Sequence, residues 1–324
     1  MIVDFHAHVG DIRTPEDRQH APVTFENLLR RLDEEGIDRA VVLPLGASPE
    51  SSRGPWLFAE QPDVVSQIRA GSPYRDRLVM FGNLDPRMGC AGNLDAETIR
   101  NPPRPDFSWV LDRFKELGCR GIGEMTANVP FDDPRLIRLC AQCGETGLPV
   151  LFHVTGPGPG VYGVWDEPGS PRMQRLLEAV SDAVIVGHGP GFWAEISAPL
   201  TIQDKFIYPV GKVEHEGSLP RLLRIFPNLY GDISANSGYN ALTRDAEYGP
   251  RFLEEFQDRI VFGTDVCFEG PADRMPHLGM LRDLARENRI SKTAFQKIAG
   301  GNAARLLGLT PQAGGRADSG GGKR

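Results

Sequence analysis

Two histidines one residue apart, His6-Ala7-His8, close the first apolar run of the chain. Side chains two apart on a strand point the same way, so both imidazoles can reach one metal ion. An H-x-H pair alone is a weak motif; the rest of the histidine pattern gives it weight. His153 follows PVLF, His188 follows VIVG and Asp265 follows VFGT, each directly after an apolar run. Four of the seven histidines and one aspartate thus fall at the ends of strand candidates. A protein interior has little reason to accept four imidazoles at one point without a ligand to satisfy them. Imidazole and carboxylate without thiolate suit zinc first, with Fe, Mn, Ni or Co as alternatives. Three protein ligands and an open position make a catalytic site rather than a closed structural one. A cation held there would lower the pKa of bound water from 15.7 to about 7.

The elements that must carry these residues can be read from hydrophobic pattern. Apolar runs at 2–5, 40–43, 78–82, 120–123, 149–152, 183–187, 228–232 and 259–263 are continuous rather than alternating, as in strands buried on both faces. Helical spacing lies between them. Phe25, Leu28, Leu29 and Leu32 share a face, with Thr24 as N-cap and Gly36 as stop. Asp133 precedes Pro134 at a first helical position, followed by Leu136, Ile137 and Cys140. Further helical faces hold Leu176, Leu177 and Val180, then Phe252 and Phe256, then Leu278, Leu281 and Leu284. Eight strands alternating with helices over 324 residues, about 40 per unit, are the pattern of an α/β protein of the (β/α)8 TIM-barrel class. The rival, a doubly wound open sheet, should show a G-x-G-x-x-G turn after its first strand, and HAHVG stands there instead. The expected organisation is one barrel domain over 1–310 with a Gly-rich, disordered tail over 311–324. Long loops at 44–56, 85–105 and 154–170 should stand on the C-terminal face, where barrel active sites form. The 37 glycines and 27 prolines suit so many turns.

HAH after strand one, a histidine after strand five, another after strand six and GTD at strand eight resemble the amidohydrolase superfamily. The closing GGNAARLLGL at 300–309 looks like the C-terminal signature of its amidohydrolase-related branch, which includes aminocarboxymuconate-semialdehyde decarboxylase, resorcylate-type decarboxylases, hydratases and lactonases. The resemblance spans about residues 1–309 and is specific for fold and superfamily, not for substrate. It implies that His6, His8 and His153 are metal ligands. It implies that Asp265 is a ligand that also takes a proton from the attacking water, and that His188 steadies the substrate carbonyl or oxyanion or binds a second metal. The chemistry of the groups agrees, since one Asp265 oxygen can bind metal while the other accepts a proton. Glu124 ends strand four in RGIGEM, where binuclear members often place a carboxylated lysine. It could bridge two metals, bind one, hold a ligand histidine from behind, or face solvent.

The resemblance implies first a metal-dependent hydrolase, with activated water attacking an amide, ester or lactone carbonyl of a small organic substrate. The alternative is a metal-dependent decarboxylase or hydratase acting on a small aromatic or unsaturated carboxylate. A non-catalytic binding barrel is disfavoured because every expected ligand position is filled. A deaminase is disfavoured because Val266 stands where nucleoside deaminases carry a second Asp. For substrate contacts, Arg13 is the first candidate carboxylate anchor, with Arg53 and Lys212 behind it. Phe192 and Trp193 are candidates for an apolar pocket wall or for packing outside the barrel, and Tyr162 and Trp165 have the same standing. The lone Cys140-x-x-Cys143 reads as packing inside a helix, and Cys267, two residues past Asp265, could touch the site but nothing identifies it as a nucleophile. His20, His215 and His277 read as solvent-facing or locally bonded rather than as ligands.

Composition bounds the partners. A formal charge of -7 with no basic run argues against nucleic acid. No stretch reaches the roughly 18 apolar residues of a membrane span. The start MIVDFHAHVG lacks the basic and long apolar regions of a secretory signal. Five scattered cysteines do not suggest a disulfide framework, so a reducing cytoplasm is expected. A homodimer is expected only by analogy with relatives.

Overall fold

The apolar runs form eight short parallel strands in a computed structural model, which describes residues 1–12, 19–45, 63–88, 105–158, 161–270 and 275–310. They are β1 (Val3–Ala7), β2 (Arg39–Val42), β3 (Leu78–Met80), β4 (Ile122–Met125), β5 (Val150–Thr155), β6 (Ile185–His188), β7 (Leu229–Asp232) and β8 (Ile260–Val261). β1, β2 and β3 pair in sequence order, as do β4 through β8. A bridge between Gly82 and Ile122 joins the two sets on one side. On the other, the Phe5 amide donates to the Phe262 carbonyl at 2.8 Å, and a bridge between Ala7 and Val266 closes the ring. The sheet is therefore a closed eight-stranded barrel in chain order, the TIM-barrel architecture expected from the pattern.

Helices cover its outside. The first, Phe25–Glu35, begins where the Thr24 hydroxyl accepts the Asn27 amide at 3.1 Å and stops at Gly36, whose φ of 69° is left-handed. The helix Pro134–Thr146 starts with the Asp133 carboxylate accepting the Arg135 amide. Inside it Cys140 and Cys143 are fully buried among apolar residues, and burial pushes both thiols up, as a packing role predicts. Among the described residues Cys119, Cys140, Cys143 and Cys267 form no disulfide.

Two apolar layers follow from strand alternation. Val3, Phe5, Val41, Val79, Phe81, Leu151 and Val186 pack inside the barrel, with Ala303 and Leu307 from the final helix among them. Most other apolar residues fill the space between strands and helices. The 300–309 segment thus seals the N-terminal end of the barrel. Asn302 fixes it there by donating to the carbonyls of Gln257 and Ile260.

Irregularities in β1 and β4 aim the polar residues. In β1, Asp4 faces Ala40 but Ala7 faces Val42, so one extra residue sits on β1. Phe5 lies in the inner layer and Ala7 in the outer one, which turns His6 and His8 inward together. β4 shows the same excess between Ile122 and Met125, both of the outer layer, so Glu124 between them faces inward. Gly123, with φ of 143°, makes this bend; a Cβ there would lie 2.7 Å from the Leu151 carbonyl oxygen. Gly123→Ala is therefore expected to destabilise the fold by about 1–3 kcal/mol, read from the chemical-denaturation midpoint. A midpoint equal to that of the parent protein would refute this account of the bend.

The tail 311–324 lies outside the described residues, as do most of the 44–56 and 85–105 loops. Among the described residues no helix is long and apolar enough to cross a membrane.

Candidate metal centre

Five strand ends and the turn after β8 deliver polar side chains to one point. β1 supplies His6 and His8, β4 Glu124, β5 His153, β6 His188 and β7 Asp232, while Asp265 follows β8. His6, His8, Glu124, His188 and Asp232 are all buried, and the Asp265 side chain remains 18 % exposed. Asp265 also has a left-handed φ of 58°. Backbone strain of that kind persists where the surroundings impose it, often at functional sites. Here the Asp265 amide donates to the His6 carbonyl at 2.7 Å.

The imidazole contacts assign protons. His8 Nδ1 lies 2.8 Å from the Leu43 carbonyl, which can only accept, so Nδ1 carries hydrogen. His6 Nδ1 lies 2.7 Å from Asp232 Oδ2 and donates to it. Both Nε2 atoms then present lone pairs, and they stand only 3.0 Å apart. Asp265 Oδ1 completes this group at 3.4 Å from His6 Nε2 and 3.2 Å from His8 Nε2. Two nitrogens this close call for positive charge between them, either a proton shared in a hydrogen bond or a metal cation. The donor set therefore fits a divalent cation held by His6, His8 and Asp265. His6, Glu124 and His188 form a second close group that shares His6.

The electrostatics agree. Burial alone would raise the Glu124 and Asp232 carboxyls, but hydrogen bonds from histidine and the charge of nearby imidazoles outweigh it and hold both well below the usual range. Asp265 is likewise lowered, against its burial, by His6, His8 and His188. Burial works against the charged form of His188, yet Asp232, Asp265 and Glu124 pull it up to about 9. These three carboxylates thus draw protons onto His6 and His188. A divalent cation meets the same demand and displaces those protons.

His153 stands one step away. Its Nδ1 is 2.8 Å from Glu124 Oε1, and the Tyr162 hydroxyl donates to Glu124 Oε2 at 2.8 Å. Glu124 therefore faces the cluster rather than solvent. His153 touches the cluster through this carboxylate and stands outside both close groups.

Of the two readings of Phe192 and Trp193, pocket wall or packing outside the barrel, the pocket wall is corrected, because both rings belong to the outer apolar layer. They are buried in the outer layer against Gly187 and Gly231, where the missing side chains leave room for their rings. Arg13 and Arg53 lie outside the described residues, and Lys212 is exposed. His277 is buried rather than solvent-facing, with Nε2 bonded to the Ala235 carbonyl at 2.8 Å. The reading from sequence missed Asp232 and Ser234 and weighed Tyr162 only as an aromatic. Asp232 ends the run NLYGD, so the rule that selected His153 and His188 also selects it. Nothing in the local sequence distinguishes Ser234.

The chain matches the protein-family model described as Amidohydrolase over residues 3–309. No curated protein matches. Solved structures share the fold at low identity. A probable 2-pyrone-4,6-dicarboxylic acid hydrolase from Acinetobacter baumannii, with citric acid bound, is 13 % identical with TM-score 0.55, over 95 % of this chain and 99 % of that one. A dihydroxybenzoic acid decarboxylase from Polaromonas, with manganese and 2-nitroresorcinol, is 16 % identical with TM-score 0.54, over 95 % and 97 %. An amidohydrolase from Burkholderia multivorans with bound zinc is 15 % identical with TM-score 0.57, over 96 % and 100 %.

Proposed function

The chain belongs to the amidohydrolase family, and on that premise we propose that it is a metal-dependent hydrolase of a small amide, ester or lactone. The observation that carries this reading is the division of labour between the two oxygens of Asp265. Oδ1 faces the Nε2 atoms of His6 and His8, whereas Oδ2 is turned toward His188 Nε2 at 3.6 Å. When bound, a divalent cation supplies Lewis-acid polarisation of a carbonyl and an acidified water; zinc is the first choice for this donor set.

The chain's own residues do the rest. His6, His8 and Asp265 Oδ1 would hold the cation. Asp265 Oδ2 stands clear to accept a proton from the attacking water and to return it to the leaving group. His188 presents Nε2 to the same space, and in its protonated form it donates to the oxyanion that develops on the carbonyl. Glu124, tied to His153 and Tyr162, keeps negative charge beside the cation and holds the β5 loop against the site.

The test is a panel of lactones, esters and amides offered to zinc-loaded protein, with acid release followed by a pH indicator. A parallel arm measures CO2 release from small aromatic and unsaturated carboxylates. Hydrolysis that disappears on chelation and returns with zinc is the expected result. Turnover only in the CO2 arm would replace the hydrolase by a decarboxylase, and full activity after chelation would overturn the metal requirement.

A further inference from the structure

We infer that Asp232 and Ser234 are a shared positioning pair that keeps the Nδ1 hydrogen on both His6 and His188 and so turns both Nε2 atoms toward the barrel mouth. The inference rests on the metal-centre reading above only for its consequence in cation binding; the proton placement stands on geometry alone.

The hydroxyl of Ser234 decides the matter. It lies 2.6 Å from Asp232 Oδ2, 2.9 Å from His188 Nδ1 and 3.2 Å from His6 Nδ1. A serine hydroxyl has one hydrogen. The buried carboxylate can only accept, so that hydrogen goes to Asp232. Oγ is then an acceptor toward His188, and His188 Nδ1 must donate. Asp232 Oδ2 itself lies 3.4 Å from His188 Nδ1, beyond a good hydrogen bond, so serine is the necessary intermediary. For His6 the order is reversed, with the carboxylate at 2.7 Å as the direct partner. One carboxylate oxygen therefore sets the tautomer of two imidazoles, one directly and one through a hydroxyl.

The surroundings hold the pair still. Asp232 and Ser234 are fully buried. The Ser234 amide donates to Asp232 Oδ1 at 3.0 Å, and Trp193 Nε1 donates to the Asp232 carbonyl at 2.8 Å. Gly263 leaves the space for this carboxylate. A Cβ there would lie 2.6 Å from Asp232 Oδ1 and 2.9 Å from His6 Cβ. A carboxylate behind a ligand imidazole commonly tunes metal affinity by about 10–100-fold. Here the same group also reaches the imidazole that is not in the His6–His8–Asp265 set.

The test uses full-length, metal-free protein labelled with 15N-histidine, with His188→Gln to assign the resonances. Long-range 1H–15N spectra at alkaline pH, where the rings are neutral, show which nitrogen carries hydrogen. The expected result is Nδ1–H at both His6 and His188 in the parent protein, retained at His6 but lost at His188 in Ser234→Ala. That variant removes one hydroxyl and little volume, and its thermal midpoint checks folding. Zinc titration should show Asp232→Asn binding about 10–100-fold more weakly, with Ser234→Ala affected much less. An Nε2–H tautomer at His188 in the parent, or an unchanged His188 tautomer in Ser234→Ala, would overturn the inference. A parent protein with both Nδ1–H tautomers that takes up no zinc would sink the metal reading and leave the positioning pair standing.

Discussion

His6→Asn is expected to abolish zinc retention and with it turnover, while the barrel stays folded. The choice of asparagine is physical. Its side-chain amide occupies the place of the imidazole Nδ1 and can still donate to Asp232 Oδ2, which lies 2.7 Å from Nδ1 in the parent. Truncation to alanine would confound the result by leaving a buried carboxylate without that partner, a change that is costly in itself. What asparagine lacks is Nε2. His6 belongs to both close donor groups, His6–His8–Asp265 and His6–Glu124–His188, so loss of its imidazole strikes either arrangement. Weakening should exceed the about 10–100-fold typical of a change behind the ligands. A bound cation would acidify water enough to supply the nucleophile near neutral pH, and its loss would remove that help. Elemental analysis of the purified variant, with circular dichroism as a folding control, gives the result. A folded variant that retained a full equivalent of zinc would eliminate His6 as a ligand.

How much of this was legible in the sequence depends on the range of the interaction. Strand positions were readable because strands buried on both faces need continuous apolar runs, and all eight appear within a few residues of those runs. Helix starts and stops at Thr24, Gly36 and Asp133 were readable because capping is local chemistry. Convergence of His6, His8, His188 and Asp265 followed from the barrel, which brings every strand end to one rim. Register was not readable. The extra residue in β1 lets Phe5 face inward directly before His6, and regular alternation would have put one of them outside. The side on which Phe192 and Trp193 pack was hidden for a similar reason. Pro190, Gly191, Phe192 and Trp193 form one short helical turn, and only the three-dimensional placement of Gly187 and Gly231 shows the rings filling space behind β6 and β7. Ser234 was invisible because its role depends on residues 46 and 228 positions away.

The packing role of Trp193 leads to the second large effect. Trp193→Ala is expected to destabilise the protein by about 3–5 kcal/mol, the cost of an aromatic cavity in a core that cannot collapse around it. The ring is 1 % exposed and meets Phe192 at 5.5 Å and Phe252 at 6.0 Å between centroids, both edge-on. Its Nε1 also holds the carbonyl of Asp232, so the same side chain fixes the backbone behind the two histidines. Trp193→Phe separates the two contributions. It keeps most of the apolar area but leaves the Asp232 carbonyl without its donor, for about 1–3 kcal/mol. Equilibrium denaturation of both variants measures these losses. The alternative, a ring that contacts substrate, makes the opposite pattern. A pocket-wall residue changed to phenylalanine would raise KM and leave the unfolding midpoint in place, because its apolar face would already be in contact with solvent in the free enzyme. A midpoint shift with unchanged KM therefore assigns Trp193 to the frame of the site, and an unchanged midpoint with raised KM would return it to the substrate pocket.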